Sequence, residues 1–257
     1  MRKFFLYLMC SFGLVSQAQV TQLSEGFTEG KTVWILRAGG NLNGVSGDRV
    51  DAQEKSWKDG KWDGSFGRSM GGSLSIGFNK SFGSSPLYWG MELGVGMRGF
   101  KTEATWEKSG TSTIAKQSIY DSHTKSETIT LTAYNVQFSP FTIGYKYLFN
   151  GEMALDVHVG GFGSYDFAGT LKTETADHII SNSSYGNRND LKENSSSVDI
   201  GDISNYTNYD LGVLAGVGFW YGHFNIDLTW QRGFISLFDS GDPSFCNTIQ
   251  VRLGYAF

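Results

Sequence analysis

Asp156 and His158 stand two residues apart on one face of an alternating segment, and Glu92 falls on the matching face of another. A carboxylate beside an imidazole is the usual acid–base pair, because histidine titrates near neutrality and the neighbour sets its charge. Catalysis would also need a nucleophile, donors for a developing oxyanion and space for substrate. No serine has an assignable position beside the pair. His123, His178 and His223 lie in separate polar segments without metal-ligand spacing. Cys10 sits in the leading apolar stretch, so Cys246 is the one cysteine of the processed chain and no internal disulfide or cysteine-built metal site can form. These residues give no catalytic, cofactor or metal site, and the expectation is not an enzyme.

The pair belongs to a larger set. Arg37, Glu92, Lys146, Asp156, Asp227 and Arg252, with His158 slightly higher, share one parity of their segments and a similar distance from the segment ends. Three acids and three bases facing one interior suggest a mutually neutralising network, since an isolated buried charge is too costly to keep. Arg37 and Arg252 lie on the first and last segments, where both are expected to neutralise Asp227 across a closing seam. A ring of the same charges could instead act as a gate or selectivity filter.

The elements that would position such a set are strands. From Asn247 to Phe257, Ile249, Val251, Leu253, Tyr255 and Phe257 alternate with small or polar residues, the period of a strand with one apolar face. Seven further segments show the same period: 31–42, 68–80, 87–100, 128–148, 152–169, 206–221 and 223–236, with 246–257 as the eighth. Short turns near 81–86, 149–151 and 221–223 alternate with long polar links near 43–67, 101–127 and 170–205, and a shorter one near 238–245. Alternating connection length is the sidedness of a transmembrane β-barrel. Pro140 interrupts the fourth segment, yet Val136 and Phe138 before it and Phe141, Ile143 and Tyr145 after it share one face if a bulge sits at Ser139-Pro140. The link at 170–205 is polar and is expected to be mobile in isolation.

The N-terminus reads as a cleavable secretory signal. Arg2 and Lys3 precede an apolar stretch from Phe4 to Val15, and Ser16-Gln17-Ala18 supplies small residues for cleavage after Ala18. Residues 19–30 would form a short periplasmic segment and 31–257 the barrel domain. No segment approaches the roughly 20 apolar residues of a transmembrane helix. The 34 Gly, 19 Phe, 12 Tyr and 7 Trp suit a barrel wall with close interior packing and interfacial aromatic girdles. A net charge of −4 offers no basic surface for nucleic acid.

Four stretches resemble the PorT-like outer-membrane β-barrel family. Trp34-Ile35-Leu36-Arg37-Ala38-Gly39-Gly40-Asn41-Leu42, followed by Val45-Ser46-Gly47-Asp48, is similar to its opening strand. Tyr134 to Tyr147, with Pro140 and the Lys146-Tyr147 pair, resembles an internal strand. Asp227 to Phe234, with Gln231 and Gly233, resembles the seventh, and Val251 to Phe257 the last. The resemblance implies an outer-membrane barrel and, through the name-giving member, an accessory role in protein secretion.

The reading is an all-β, eight-stranded antiparallel transmembrane β-barrel with a side-chain-filled lumen, in the outer membrane of a Gram-negative bacterium with both termini periplasmic. It would act structurally or in surface interaction through its external loops, where Trp57, Trp62 and Trp106 offer a contact surface among charged residues. The alternatives are a transport or secretion accessory and, further off, a lipid- or peptide-processing enzyme. Expected partners are outer-membrane lipid and lipopolysaccharide, the barrel-assembly machinery and an unidentified extracellular ligand or protein. Val251, Leu253, Tyr255 and Phe257 form the expected assembly signal. Phe257→Asp should therefore lower outer-membrane abundance strongly while signal cleavage proceeds, as fractionation and immunoblotting would show; unchanged abundance would contradict this.

Overall fold

A computed structural model describes residues 31–114, 117–149, 152–183 and 186–257. The expected signal at 1–18, with Cys10, and the segment 19–30 lie outside them. Ten strands and one α-helix follow in the order β1 (Thr32–Ser46), α1 (Asp48–Asp59), β2 (Trp62–Gly67), β3 (Ser69–Ser81), β4 (Leu87–Ile114), β5 (Gln117–Leu148), β6 (Met153–Ser183), β7 (Gly186–Asp199), β8 (Tyr209–Tyr221), β9 (Phe224–Gly233) and β10 (Phe245–Ala256). Eight of them close a ring, β1–β3–β4–β5–β6–β8–β9–β10 and back to β1, with every pairing antiparallel. The seam between β10 and β1 is complete down to Phe257, whose amide donates to the Trp34 carbonyl at 2.9 Å and whose carbonyl accepts from the Trp34 amide at 3.2 Å. All eight expected strands are present, and they form an eight-stranded transmembrane β-barrel.

Alternation decides which face each residue takes. On β9, Phe224, Ile226, Leu228 and Trp230 are exposed outward while Asn225, Asp227, Thr229 and Gln231 are buried inward. On β5 the outward residues are apolar from Tyr147 to Tyr134 and then change to Thr132, Thr130, Thr128 and Ser126. That apolar run spans about 30 Å along the barrel axis if the strands tilt by about 40°, the thickness of a bilayer core. The bulge at Ser139-Pro140 is present: Phe138 and Phe141 on β5 face Gly163 and Gly161 on β6, one step fewer on the partner. Ser139 is buried while Phe138, Phe141 and Ile143 stay on the outer wall. The proline thus sits at a one-residue register shift, where a residue is spare and the flanking apolar side chains keep the outer face.

The long links differ from the loops expected. The 101–127 link is a continuous hairpin, because β4 runs on to Ile114 and β5 starts at Gln117. The 170–205 link is not a loop throughout: β6 continues to Ser183 and β7 returns beside it from Gly186. Its polar side chains hid a strand pair because the ladder with β5 is made by backbone groups and needs no apolar face. The 43–67 link holds α1 and β2. Asp48 and Asp51 in the first turn of α1 and Lys58 in the last complement its dipole, and Val50 and Trp57, seven residues apart, form its buried side. β2, β4, β5, β6 and β7 build a five-stranded sheet beyond the apolar wall.

Two apolar clusters close the ends. At the turn end Trp220, Ile35, Ala154 and Ala256 pack together with Val33 and Leu148. At the hairpin end Phe100, Leu131, Ala133, Ile200, Leu237 and Cys246 pack together. Ile200 and Leu237 belong to residues 200–208 and 234–244, which fold across the mouth and join through the Thr207 amide on the Leu237 carbonyl at 2.9 Å. Cys246 is a small buried member of this cap. A closed ladder has no edge for detergent to open. Unboiled protein in mild detergent should accordingly migrate differently from boiled protein on a denaturing gel. Equal mobility of the two, with refolded protein soluble without detergent, would contradict the membrane barrel.

Candidate functional site

One register row explains how the lumen charges meet. Arg252 on β10 faces Asp227 on β9, Asp227 faces Gly218 on β8, Gly218 faces Asp156 on β6, and Asp156 faces Lys146 on β5. Gly218 contributes no side chain, so the charges on either side share the space across it. Arg252 donates from Nη2 to Asp227 Oδ1 at 2.7 Å and from Nε at 3.1 Å. Glu92 accepts from both Arg252 and Arg37. Arg37 therefore pairs directly with Glu92, where the seam expectation paired it with Asp227, and its Nε reaches Asn225 at 3.4 Å. Glu92 projects from β4 toward the β1–β10 seam, which strand order alone could not reveal.

Asp156 is held by the Tyr88 hydroxyl at 2.8 Å and the Trp220 indole at 3.3 Å. Lys146 lies between the same two rings, 4.2 Å from the Trp220 centroid and 4.8 Å from that of Tyr88. His158 bridges two acids, with Nδ1 3.6 Å from Asp156 and Nε2 3.7 Å from Asp227. The seven residues Arg37, Glu92, Lys146, Asp156, His158, Asp227 and Arg252 thus form one cluster across the lumen. Two glycines make room for it. A Cβ at Gly144 would lie 2.3 Å from the Tyr88 ring, and one at Gly216 would lie 2.5 Å from His158 Nε2. Tyr88 and Trp220 were missed in the sequence; the signal was there, since each inward aromatic has the parity of a charged neighbour.

A second ionic cluster lies nearer the hairpin end. Arg98 pairs with Asp166 at 2.7 Å and with Asp210 at 3.1 Å, and its Nη1 approaches Ser164 at 3.4 Å. The Tyr206 hydroxyl donates to Asp166. Burial, reinforced by the Asp166 charge, pushes the Tyr206 phenol well above its ordinary range, so it remains a donor. This cluster ties the mouth cap to the barrel wall. Sequence reading overlooked it although the signal was there: Asp166 shares the inward parity of Asp156 and His158, and Arg98 that of Glu92, and the register shift on β6 comes only after Asp166.

Two polar chambers of about 40 and 30 Å³ flank the lower cluster, both bordered by Glu92, Ser139, Gln231 and Arg252. Each has room for a few waters and nothing larger. The Arg252–Glu92–Arg37 group forms the partition between them. Nothing in this arrangement offers a substrate cavity.

The three loop tryptophans have different fates. Trp57 is buried on α1 against Phe66 and Gly64, so it is a packing residue and no part of a contact surface. Trp62 and Trp106 face each other across β2 and β4, both half-buried. Their row continues through Lys125, Asp177 and Lys192 over all five strands of the external sheet. Trp106 meets His123 edge-on at 5.3 Å, and His123 Nε2 lies 2.6 Å from Asp177.

A closed eight-stranded antiparallel barrel, apolar outside and ionic inside, defines an outer-membrane β-barrel of the Gram-negative type. No protein-family model matches the chain, and no curated protein matches it. Among solved structures it is similar to Ail, the attachment invasion locus protein of Yersinia pestis, at 14% identity over 88% of this chain and 99% of that one, with a TM-score of 0.31. Neisserial surface protein A is similar at 10% identity over 87% and 97%, with a TM-score of 0.30. OprG, an outer membrane protein of Pseudomonas aeruginosa, is similar at 10% identity over 91% and 98%, with a TM-score of 0.24. Likeness at this level concerns the general fold and says nothing about activity.

The lower cluster can be tested by unbalancing it. Arg252→Met leaves Asp227 without its cation and should cost about 3–5 kcal/mol, the usual penalty for stranding one buried charge. Thermal unfolding in detergent should fall accordingly, and adding Asp227→Asn should recover much of the loss because Glu92 keeps Arg37. A gate would behave otherwise: Arg252→Met would open conductance in a planar bilayer with stability unchanged.

Proposed function

We propose that this barrel is a surface-interaction protein whose closed lumen serves as a rigid mount and whose external sheet makes the contacts. Both termini are then periplasmic, and the long hairpins face the medium. One observation carries the reading: apolar clusters lie toward both ends of the barrel and an ionic cluster spans its middle, while β4, β5 and β6 continue far beyond the apolar wall as paired strands. Ordering so many polar residues costs conformational entropy, and a membrane anchor alone has no use for them. A narrow lumen filled by its own side chains leaves no route for bulk solute.

An epitope inserted between Ser183 and Gly186 should bind antibody on intact cells, and the purified protein should give no steady conductance in a planar bilayer. Labelling only after the outer membrane is permeabilised, or a steady open channel, would contradict the proposal.

A further inference from the structure

The outer edge of the external sheet has unusual features. β7 pairs only with β6 among the described residues, so its other side presents a full row of backbone donors and acceptors. Proteins normally blunt such edges with short strands, charged side chains, proline or bulges, and of these β7 has only the charges, which carry both signs. β7 is 14 residues long, contains no proline, and keeps register with β6 throughout. Near its middle Leu191 is 57% exposed, flanked by Asp190 and Lys192.

We propose that β7 is the docking edge for β7 of a second copy carried on an opposing membrane. A parallel ladder bonds its two strands inequivalently, so two identical edges can form a symmetric pair only when antiparallel. A two-fold axis through the joined sheet keeps each residue on its own face, so the axis must pass through a residue. Four centres keep at least 11 of the 14 residues of β7 paired: Leu191, Lys192, Glu193 and Asn194. Centring on Lys192 or Glu193 sets that charge against itself, and centring on Asn194 gives the charges no partner. Centring on Leu191 places Asp190 opposite Lys192 twice, Asn189 opposite Glu193 twice, and the exposed leucines against each other. The charge pattern selects one register.

That register also fixes the arrangement of the membranes. β7 follows strands that rise from the barrel, so it has a fixed inclination to its own membrane normal. An antiparallel partner runs the opposite way and must belong to a barrel inserted in the reverse sense, hence in a facing membrane. The inference rests on the surface-interaction reading and names the partner within it.

The test uses the purified full chain in phosphatidylcholine vesicles, with turbidity reporting vesicle clustering. Wild-type vesicles should cluster, less so as salt rises. Asp190→Lys sets two lysines against each other at both charged contacts, and Lys192→Asp sets two aspartates against each other there. Each variant alone should therefore fall to the level of protein-free vesicles. Mixing the two populations makes every such pair complementary again and should restore clustering, which also shows that both variants are folded. Wild-type vesicles that stay apart, single variants that cluster like wild type, or a mixture that fails to recover would each overturn the proposal. If clustering fails while the vesicles remain non-conducting, the second copy is removed as partner and the surface-interaction reading still stands; conducting vesicles would remove that reading itself.

Discussion

Hydrocarbon offers the backbone no hydrogen-bond partners, and the rest of this structure depends on that constraint. Each peptide group within the apolar wall must find its partner in a neighbouring strand, so the sheet has to close on itself. Closure after eight strands leaves a bore that side chains nearly fill. Every second residue then points into a space with little water, and the inward residues are chosen for mutual satisfaction. Arg252, Asp227, Asp156 and Lys146 share a single row of the ladder for this reason.

Pairing inside the lumen is collective. Glu92 serves two guanidinium groups, Asp156 takes a phenol and an indole, and His158 stands between two carboxylates. Such groups are costly to bury one at a time and acceptable as a balanced set. The glycines at 144, 216 and 218 belong to the same solution, because a side chain there would occupy space taken by Tyr88, His158 or Asn225. Nearer the mouth, Arg98 with Asp166 and Asp210 repeats the pattern and anchors the cap through Tyr206. The lumen is therefore two ionic layers between two apolar ends.

Much of this was legible in the sequence because the bilayer enforces a strict period of two. The strands, the bulge at Ser139-Pro140 and the inward parity of the seven lower charges all follow from alternation. Alternation does not show how far a side chain reaches across a bore, so the sequence does not reveal that Arg37 meets Glu92. It also fails where the membrane ends. Above the apolar wall both faces of the sheet are polar, the period disappears, and β7 and the outer halves of β4, β5 and β6 read as loop. Trp57 reads as a contact residue for the same reason, since nothing in its polar surroundings announces the helix that buries it.

The central claim is that one hydrogen-bonded ladder continues from the membrane, past a single-residue bulge at Phe167, into the external sheet. Amide hydrogen exchange on the refolded protein in lipid nanodiscs tests it most directly. The account predicts slow exchange continuing past Tyr134 on β5 to at least Lys125, and past Phe167 on β6 to Asp177. Protection that ends at Tyr134 and Phe167, with fast exchange beyond, would contradict it.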